Sequence, residues 1–383
     1  MQKIYLDHAA TSFPKPNCVT EAMVTYMTKI GTNMNRGAYE SAYSVADVVY
    51  ETRTLLCELF DFDVCENVVL TQNITYALNM IIKGLFKRGD HVLVSAMEHN
   101  AVMRPLVQLQ AKGIEYSRIP CTKQGELCME YLPSLIQENT KAIIMTAGSN
   151  VCGTHMPLEE VGEFCKEHGI LFIVDTAQMA GVFPISMKAM NIDVLAFTGH
   201  KGLLGPQGIG GFLVRSEVAD NIEPLITGGT GSISDSEETP NFLPDKFEAG
   251  TLNLPAIFGL HASLLYIKEI GLEEIQRREK EQLTRLLDGL HTVEGIRLIG
   301  KDGIDKRSAV VSIQCDFMDE AELAFLLDCE FGIMTRVGMH CAPNAHKMLG
   351  TFPRGTVRIS LGYETTKEEI DQLIHALQQL QRR

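Results

Sequence analysis

The stretch Leu171-Phe-Ile-Val-Asp175 is an apolar run that ends on an aspartate, and a second run, Val194-Leu-Ala-Phe-Thr198, leads directly into Gly-His-Lys201. Short runs that are apolar throughout are typical of strands buried on both faces of a parallel sheet. A lysine at the end of such a strand is expensive to remove from water, which indicates a chemical role such as Schiff-base formation with a carbonyl compound. We therefore expect a reactive site where these two strands end.

The same pattern recurs along the chain as far as residue 214. Apolar runs predict strands at residues 68–71, 91–95, 142–146, 171–175, 194–198 and 210–214. Helical periodicity between them marks residues 41–60, and residues 158–168 between Pro157 and Gly169. Buried strands that alternate with amphipathic helices predict an α/β fold whose mainly parallel sheet is covered on both faces.

The chain changes character near residue 255. A long charged helix is predicted from about residue 255 through Gly271 to Leu290, and fewer strands follow it, at residues 296–299, 309–315 and 357–360. The last helix begins with Thr366-Lys-Glu-Glu369, which has the sequence of a capping box.

This change predicts two domains. We expect a large domain of residues 15–255 and a smaller α+β domain that combines residues 1–14 with residues 256–383. The turn-rich and acidic residues 228–245 are expected to form an exposed loop or lid, with no role assigned to it.

Composition narrows the classes of function. The 383 residues carry a formal net charge of −14 and contain no basic run, which argues against a nucleic-acid partner. No apolar run approaches the roughly 18 residues of a membrane span and the N-terminus lacks the apolar core of a signal peptide, so we expect a cytoplasmic protein with no membrane partner. The ten cysteines include no Cys-x-x-Cys pair, and we expect neither disulfides nor a bound metal.

Asp175 and Lys201 together match the requirements of pyridoxal 5′-phosphate. The lysine can carry the aldehyde, and the carboxylate can keep the pyridine nitrogen protonated. Taken singly, Asp175 could be a turn former and Lys201 a surface lysine. Both nevertheless fall at the carboxyl ends of strands, where ligands of open α/β sheets bind.

A phosphate site is predicted at a neighbouring strand end. Asn73-Ile74-Thr75 opens a helix, so its backbone N–H groups and the Thr75 hydroxyl are suited to an anion. Thr198 and His200 could add phosphate contacts. The alternative for residues 73–75 is an ordinary helix cap.

Three more residues after strand ends are candidates for contacts to the ring or to the substrate. His99 could lie flat over an aromatic ring, and Gln178 could donate to a phenolic oxygen. Asn150 could reach the same oxygen or the substrate. A structural role is the alternative for each.

A second centre is predicted in Arg336-Val-Gly-Met-His-Cys341-Ala. A cysteine in a loop with an arginine nearby suggests an accessible thiol in an electropositive setting, which favours the reactive thiolate. Cys341 could instead be an inert core residue, or form a metal site with His340 and His346. Arg358, inside an apolar strand, needs an anion, which could be a substrate carboxylate or a structural salt-bridge partner.

These residues resemble the cysteine desulfurases of the class V aminotransferase group, which belong to the fold-type I pyridoxal phosphate enzymes. The form Arg-x-Gly-x-His-Cys-Ala resembles the SufS-like branch, in which the cysteine loop is short. The motifs that carry the resemblance span almost the whole chain and are Tyr5-Leu-Asp-His-Ala-Ala-Thr11, Asn35-Arg-Gly37, Glu98-His99, Ser149-Asn-Val-Cys-Gly-Thr154, Val174-Asp-Thr-Ala-Gln178, Thr198-Gly-His-Lys201, Phe247-Glu-Ala-Gly-Thr251, Arg336-Val-Gly-Met-His-Cys-Ala342 and Arg358.

The resemblance implies a role for each matching residue. Catalysis would depend on Lys201, His99 and Cys341, with Cys341 as the nucleophile. The cofactor would be contacted by Asn73, Ile74, Thr75, His99, Asn150, Asp175, Gln178, Thr198, His200 and Lys201, and by Thr251 from the other subunit of a homodimer. The substrate would be bound by Asn150, Arg358, Arg36 and Arg336, the last of which would also support the cysteine loop.

The implied reaction converts L-cysteine to L-alanine and leaves the sulfur on Cys341 as a persulfide, which an acceptor protein then collects. A selenocysteine lyase would use the same residues. A pyridoxal phosphate aminotransferase or epimerase without sulfur chemistry is a further alternative, and its activity would not depend on Cys341. A non-catalytic scaffold is a third, against which the retention of Lys201 and Asp175 speaks.

Overall fold

A computed structural model describes residues 3–34, 39–233 and 235–383. The described residues form strands β1 (Ile4–Tyr5), β2 (Val68–Thr71), β3 (His91–Ser95), β4 (Glu115–Ile119), β5 (Thr140–Thr146), β6 (Leu171–Asp175), β7 (Val194–Thr198), β8 (Gly210–Val214), β9 (Ile296–Ile299), β10 (Val310–Cys315), β11 (Ile333–Met334), β12 (Arg336–Gly338) and β13 (Thr356–Ser360).

The same residues form helices α1 (Asn17–Thr25), α2 (Glu40–Phe60), α3 (Ile74–Leu85), α4 (Asn100–Gln110), α5 (Leu132–Leu135), α6 (Leu158–His168), α7 (Ser216–Ala219), α8 (Leu254–Ile270), α9 (Leu272–Leu290), α10 (Glu320–Phe331), α11 (Pro343–Met348) and α12 (Lys367–Gln381). None of these helices is both long and apolar enough to cross a membrane.

The large sheet has seven strands in the order β2-β8-β7-β6-β5-β3-β4. Strands β4, β3, β5, β6 and β7 run parallel, and β8 is antiparallel to both of its neighbours. All six strands predicted before residue 255 are present, which confirms the mainly parallel α/β fold. The prediction missed β4 because this edge strand, Glu-Tyr-Ser-Arg-Ile, contains three polar residues and is not an apolar run.

The two faces of this sheet are both buried. Alternate side chains along each strand point to opposite faces, so that Leu93 and Val174 join one hydrophobic cluster while Val92 and Ile173 join another. Helices cover both clusters, as the uninterrupted apolar runs predict.

The prediction of one continuous helix over residues 255–290 is wrong. The chain forms α8 and α9, which are separated at Gly271, where φ is +83°. This left-handed region is readily adopted only by glycine, and the Gly271 N–H closes α8 by donating to the Ile267 carbonyl.

The second sheet is antiparallel, with four strands in the order β12-β13-β10-β9. Its hydrophobic cluster includes Ile4 and Leu6 near the N-terminus as well as leucines of α9 and α12. The short strand β1 also pairs in parallel with β11. The predicted capping box is present, since the Thr366 hydroxyl accepts from the Glu369 N–H and the Glu369 carboxylate accepts from the Thr366 N–H.

Helix α8, which begins next to the predicted domain boundary at residue 255, packs its apolar side chains on the large sheet. Leu260, Leu264 and Ile267 belong to the cluster on the large sheet, whereas Leu283 and Leu286 of α9 belong to the cluster on the small sheet. The boundary at residue 255 stays a prediction, and these contacts show that α8 packs on the large sheet. Residues 228–233 and 235–245 form neither helix nor strand and are mostly exposed, as expected for a loop.

Candidate active site

A cavity of about 920 Å³ opens at the carboxyl ends of the parallel strands, facing the small sheet. The predicted site residues that line it are Asn73, Ile74, Thr75, His99, Asn150, Asp175, Gln178, Thr198, His200, Lys201, Thr251, Arg336 and Arg358. Cys341 is exposed and does not line the cavity, and Arg36 lies outside the described residues. The structure therefore gathers residues from both ends of the chain around one space.

Asp175 and Lys201 lie on the floor of this cavity. Burial raises the pKa of Asp175, and the Lys201 ammonium opposes that shift. Burial also lowers the pKa of Lys201 to about 8, with Arg358 and Arg336 acting in the same direction and Asp175 against it. The Asp175 carboxylate accepts from the Ala177 N–H at 2.9 Å. At a pH near 8, a substantial fraction of Lys201 is thus in its neutral, nucleophilic form.

His99 caps helix α4 with its ring. Its Nδ1 accepts from the Ala101 N–H at 3.0 Å, so the neutral ring carries its proton on Nε2. Burial, together with the nearby cations Lys201, Arg336, Arg104 and Arg358, lowers the pKa of His99 to about 4, which keeps the ring uncharged. An uncharged ring on the cavity wall is suited to lie against a heteroaromatic cofactor.

Glu98, next to His99, is a buried acid that is hydrogen-bonded to the ends of β3 and β5. Its Oε1 accepts from the Ser95 hydroxyl at 2.5 Å and from the Thr146 N–H at 2.9 Å, whereas Oε2 has no partner among the described residues. Burial raises the pKa of Glu98 to about 8, and the Asp175 carboxylate contributes to this rise. Glu98 is therefore protonated at neutral pH.

One end of the cavity has unused hydrogen-bonding groups. The first N–H groups of α3 have no partner within the helix, and Asn73 caps it by accepting from the Tyr76 N–H at 3.0 Å. The Thr198 hydroxyl and His200 Nδ1 are buried without a partner among the described residues. A buried donor or acceptor without a partner is unfavourable, so these groups fit an anion such as a phosphate.

The turn that holds Lys201 is fixed by the N-terminal segment. The carbonyl of His200 accepts from the Ser12 N–H at 2.9 Å, the Thr11 hydroxyl at 3.0 Å and the Lys15 ammonium at 2.8 Å. Burial lowers the pKa of Lys15 to about 8. These bonds make residues 11–15 part of the frame around Lys201.

Gln178 and Asn150 make protein contacts beyond those expected of them. The Gln178 amide donates to the Ala9 carbonyl at 3.2 Å, and the Asn150 amide donates to the His340 carbonyl at 2.7 Å. Their predicted contacts to a ring oxygen or a substrate stay predictions. Asn150 has in addition a structural role, because it connects the large sheet to the cysteine loop.

Arg358 and Arg336 form the cationic wall opposite Asp175. They are directly paired in the antiparallel register of β12 and β13. Arg358 is buried and donates to Asp7 at 2.6 Å and to the Asn150 carbonyl at 3.0 Å, while its Nε has no partner among the described residues. The salt bridge considered for Arg358 is therefore present, and its unused Nε leaves room for a second anion.

The cysteine loop is short and anchored at both of its central residues. Residues 339–342 connect β12 to α11, with left-handed φ values of 45° at His340 and 57° at Cys341. The Cys341 carbonyl accepts from the Asn100 N–H at 2.8 Å, beside His99. Exposure of Cys341 excludes the alternative of a core cysteine, and no cluster of metal-ligating side chains occurs within the described part of the chain.

His340 was not predicted as a site residue, although it lines the cavity. Its Nε2 bonds to the Thr356 hydroxyl at 2.9 Å, Thr356 donates to Ser312, and Ser312 donates to the Val151 carbonyl at 2.6 Å. Because Thr356 uses its proton on Ser312, His340 Nε2 is the donor. Burial and nearby Arg358 lower the pKa of His340 to about 2, so the ring stays neutral.

Other wall residues were also missed by sequence reasoning. They are Ala9, Ala10, Gln72, Ala101, Thr146, Ala177, Gln207, Gly208 and Asn253. Gln72 directly follows β2 and Thr146 ends β5, so their positions at strand ends were an available signal. Ala9, Ala10 and Ala177 lie within motifs that carry the family resemblance, whereas Ala101, Gln207, Gly208 and Asn253 have no local pattern that distinguishes them.

The class-V aminotransferase family profile matches residues 4–373. The chain belongs to this family. Relatives named probable cysteine desulfurase match over nearly the whole chain, among them one from Methanothermobacter thermautotrophicus, 33% identical over 98% of this chain and 94% of its own length. Another, from Pyrococcus abyssi, is 34% identical over 98% of this chain and 94% of its own length.

Solved structures agree with this assignment. A cysteine desulfurase from Thermococcus onnurineus superposes with a TM-score of 0.93 at 32% identity, covering 99% of this chain and 95% of that chain. The cysteine desulfurase CsdA from Escherichia coli gives a TM-score of 0.89 at 28% identity, covering 99% and 94%. Class-V aminotransferases and cysteine desulfurases use pyridoxal phosphate, and the fold-type I assignment is confirmed.

Proposed function

We propose that this protein is a pyridoxal phosphate-dependent cysteine desulfurase that converts L-cysteine to L-alanine and retains the sulfur on Cys341. The observation that carries the proposal is an exposed cysteine on a loop that is bonded to Asn100, next to His99, and that follows directly on His340 in the wall of the cavity containing Lys201 and Asp175. A lysine and an aspartate are common to many reactions of this cofactor. The cysteine is the residue that favours sulfur transfer over the other reactions.

The residues present fit the cofactor. Thr198, His200 and the first turn of α3 would hold its phosphate, Asp175 its pyridine nitrogen, and His99 one face of its ring. When bound through Lys201, pyridoxal phosphate supplies an electron sink for the carbanion that forms next to the substrate amine. Arg336 and Arg358 would bind the substrate carboxylate from the opposite wall.

Lys201 and Cys341 then carry out the proton and sulfur transfers. Lys201, with its pKa lowered to about 8, takes the proton from the substrate α-carbon. The Cys341 thiolate forms a bond to the substrate sulfur as the carbon–sulfur bond breaks, so Cys341 becomes a persulfide. The β-carbon gains a proton in place of the sulfur, Lys201 returns a proton to the α-carbon, and the product is L-alanine.

The proposal includes a protein that takes the persulfide sulfur, because Cys341 must be regenerated for a second turnover. It also includes a homodimer in which Thr251 reaches the partner's phosphate. Thr251 is exposed and lies on the wall of its own chain's cavity, and sedimentation of the purified protein tests the dimer. The cytoplasmic location and the SufS-like branch stay predictions.

The decisive experiment is mass spectrometry of the Cys341 peptide after incubation with L-cysteine, together with an assay for L-alanine. We expect one added sulfur on Cys341 and an equivalent amount of alanine. Cys341→Ser should abolish both products while the protein keeps the absorption of its bound cofactor.

Cys329→Ser is the matched control, since Cys329 is also exposed but lies on α10, a helix that contributes no residue to the cavity wall. This variant should retain full activity. Turnover of Cys341→Ser with an amino acid other than cysteine, at an undiminished rate, would favour the aminotransferase alternative. Faster turnover of L-selenocysteine than of L-cysteine by the unmodified protein would favour the lyase.

A further inference from the structure

Asp7 is the resident counter-anion of the buried arginine on the cavity wall. The Asp7 carboxylate accepts from Arg358 Nη2 at 2.6 Å, and the side chains are 18% and 2% exposed, respectively. Ion pairs that are removed from water are strong when hydrogen-bonded, and they compete with any second anion that approaches the same guanidinium. Asp7 therefore affects how tightly Arg358 binds an incoming carboxylate.

The position of Asp7 is set by its backbone rather than by the ion pair. The neighbouring residues on both sides pair with Ser360 of β13, since the Ser360 N–H donates to the Leu6 carbonyl at 2.8 Å and the Ala9 N–H donates to the Ser360 hydroxyl at 2.9 Å. The Tyr5 hydroxyl donates to the Asp7 carbonyl at 3.0 Å. An asparagine at residue 7 can thus keep an acceptor oxygen in the same place.

The charges on this wall do not balance without a ligand. Arg336, directly opposite Arg358, makes no ion pair within the described residues, so this wall has two guanidinium groups and one carboxylate, which is paired with Arg358. One further negative charge would neutralise the wall. A substrate with a single carboxylate meets this requirement.

We propose that Asp7 is a positioning residue that holds Arg358 in place, an inference that rests on the proposed function. Asp7 also weakens the attraction between Arg358 and the carboxylate that substrate and product share. L-cysteine and L-alanine present the same carboxylate to this wall. A resident counter-anion weakens the binding of both, and it thereby speeds release of alanine.

The test is isothermal titration calorimetry of L-alanine and of L-alaninamide, which lacks the carboxylate, on the protein loaded with its cofactor. Asp7→Asn keeps the acceptor and removes the charge, so L-alanine should bind roughly three- to tenfold more tightly. Asp7→Ala also removes the positioning bond, and L-alanine should bind at least about threefold more weakly. L-alaninamide should change by less than about twofold with either variant.

Asp328→Asn is the matched control, because Asp328 pairs with Lys3 of the same N-terminal segment at 2.7 Å, on the protein surface. It should leave both titrations unchanged. Weaker or equal binding of L-alanine by Asp7→Asn, or equal tightening of L-alaninamide, would overturn the proposal. If Asp7→Ala does not fold, the Asp7→Asn titration decides alone.

These titrations measure binding and not turnover, so they separate the inference from the proposed function. If the protein releases no sulfur from L-cysteine but Asp7→Asn binds L-alanine more tightly, the proposed function fails and the role of Asp7 stands. If the protein is an active desulfurase and the affinity for L-alanine is unchanged, only the role of Asp7 fails.

Discussion

The two walls of the cavity differ in how their charges are compensated. The wall at the ends of the parallel strands has one acid, Asp175, and one amine, Lys201. Burial raises the pKa of the acid and lowers that of the amine, which favours the neutral form of each. The wall on the antiparallel sheet has two arginines and one counter-anion, Asp7. The first wall is suited to hold and activate a cofactor, and the second to attract an anionic substrate beside the cysteine loop.

The comparison also shows where reaction specificity lies. The parallel wall would serve many pyridoxal phosphate reactions, because its residues act on the ring and on the proton at the α-carbon. The cysteine loop belongs to the other wall, and Asn150 and Asn100 bond it to the first wall. Variants of the first wall should therefore abolish all chemistry, whereas variants of the second should change individual steps.

The largest effect is expected for Lys201→Ala. It should remove the covalent link to the cofactor, shift the absorption of the bound cofactor and lower turnover by several orders of magnitude. An unchanged spectrum would mean that Lys201 is not the attachment site. In the unmodified apoprotein, the rate of cofactor attachment should rise with pH through about 8, since the free amine fraction grows as pH passes the pKa of Lys201.

Effects of intermediate size are expected for the two arginines of the second wall, whose alanine variants should differ in stability. Arg358→Ala leaves the half-buried Asp7 without its partner, so it should raise KM for L-cysteine and also lower the stability by about 3 kcal/mol, the low end for a buried pair, because water still reaches Asp7. Arg336→Ala should raise KM with little loss of stability, because Arg336 is partly exposed and has no ion pair within the described chain. Steady-state kinetics and chemical denaturation of both variants measure this difference. Equal stability losses would contradict it.

The smallest effect is expected for Glu98→Gln. The folded protein keeps the Glu98 proton up to a pKa of about 8, while the unfolded chain releases it near the ordinary value of 4.5, so Glu98 makes stability fall as pH rises between these values. Gln keeps the Oε1 acceptor and cannot ionise. Melting temperatures at pH 6 and pH 8 should therefore differ less in the variant than in the unmodified protein.

Glu279→Gln provides a comparison outside the first wall. Burial alone raises the pKa of Glu279 on α9 to about 8. This variant should reduce the pH dependence of stability in the same way but leave the cofactor spectrum unchanged. Glu98→Gln should alter the pH titration of that spectrum, because Glu98 interacts with Asp175.

Much of the first wall was predictable from local sequence. Strands that are apolar throughout identify a buried parallel sheet, and ligand-binding residues of such sheets follow the strand ends. Asp175, Lys201, His99 and Thr198 were found on this basis. The edge strand β4 was missed because three of its five residues are polar, and the break at Gly271 was missed because a glycine inside a helical pattern does not always end the helix.

The second wall depended on contacts between residues that are far apart in sequence. Asp7 and Arg358 are separated by 351 residues, and Asn150 lies 190 residues from His340. Local patterns carry no information about such pairs. The sequence indicated that Arg358 needed an anion, but it did not distinguish a substrate carboxylate from a structural partner. The structure shows Asp7 as the structural partner and leaves Arg358 Nε without a partner among the described residues.

The amino-acid sequence by itself determined the α/β sheet, the residues at its strand ends and the cofactor they suit, because burial and alternation are local properties of the chain. It also singled out Cys341 through its motif. Only the tertiary structure decided that Cys341 lies beside His99, that His340 is a neutral buried ring, and that Asp7 balances Arg358. These depend on how the small sheet packs over the large one, which brings together segments that no sequence window contains.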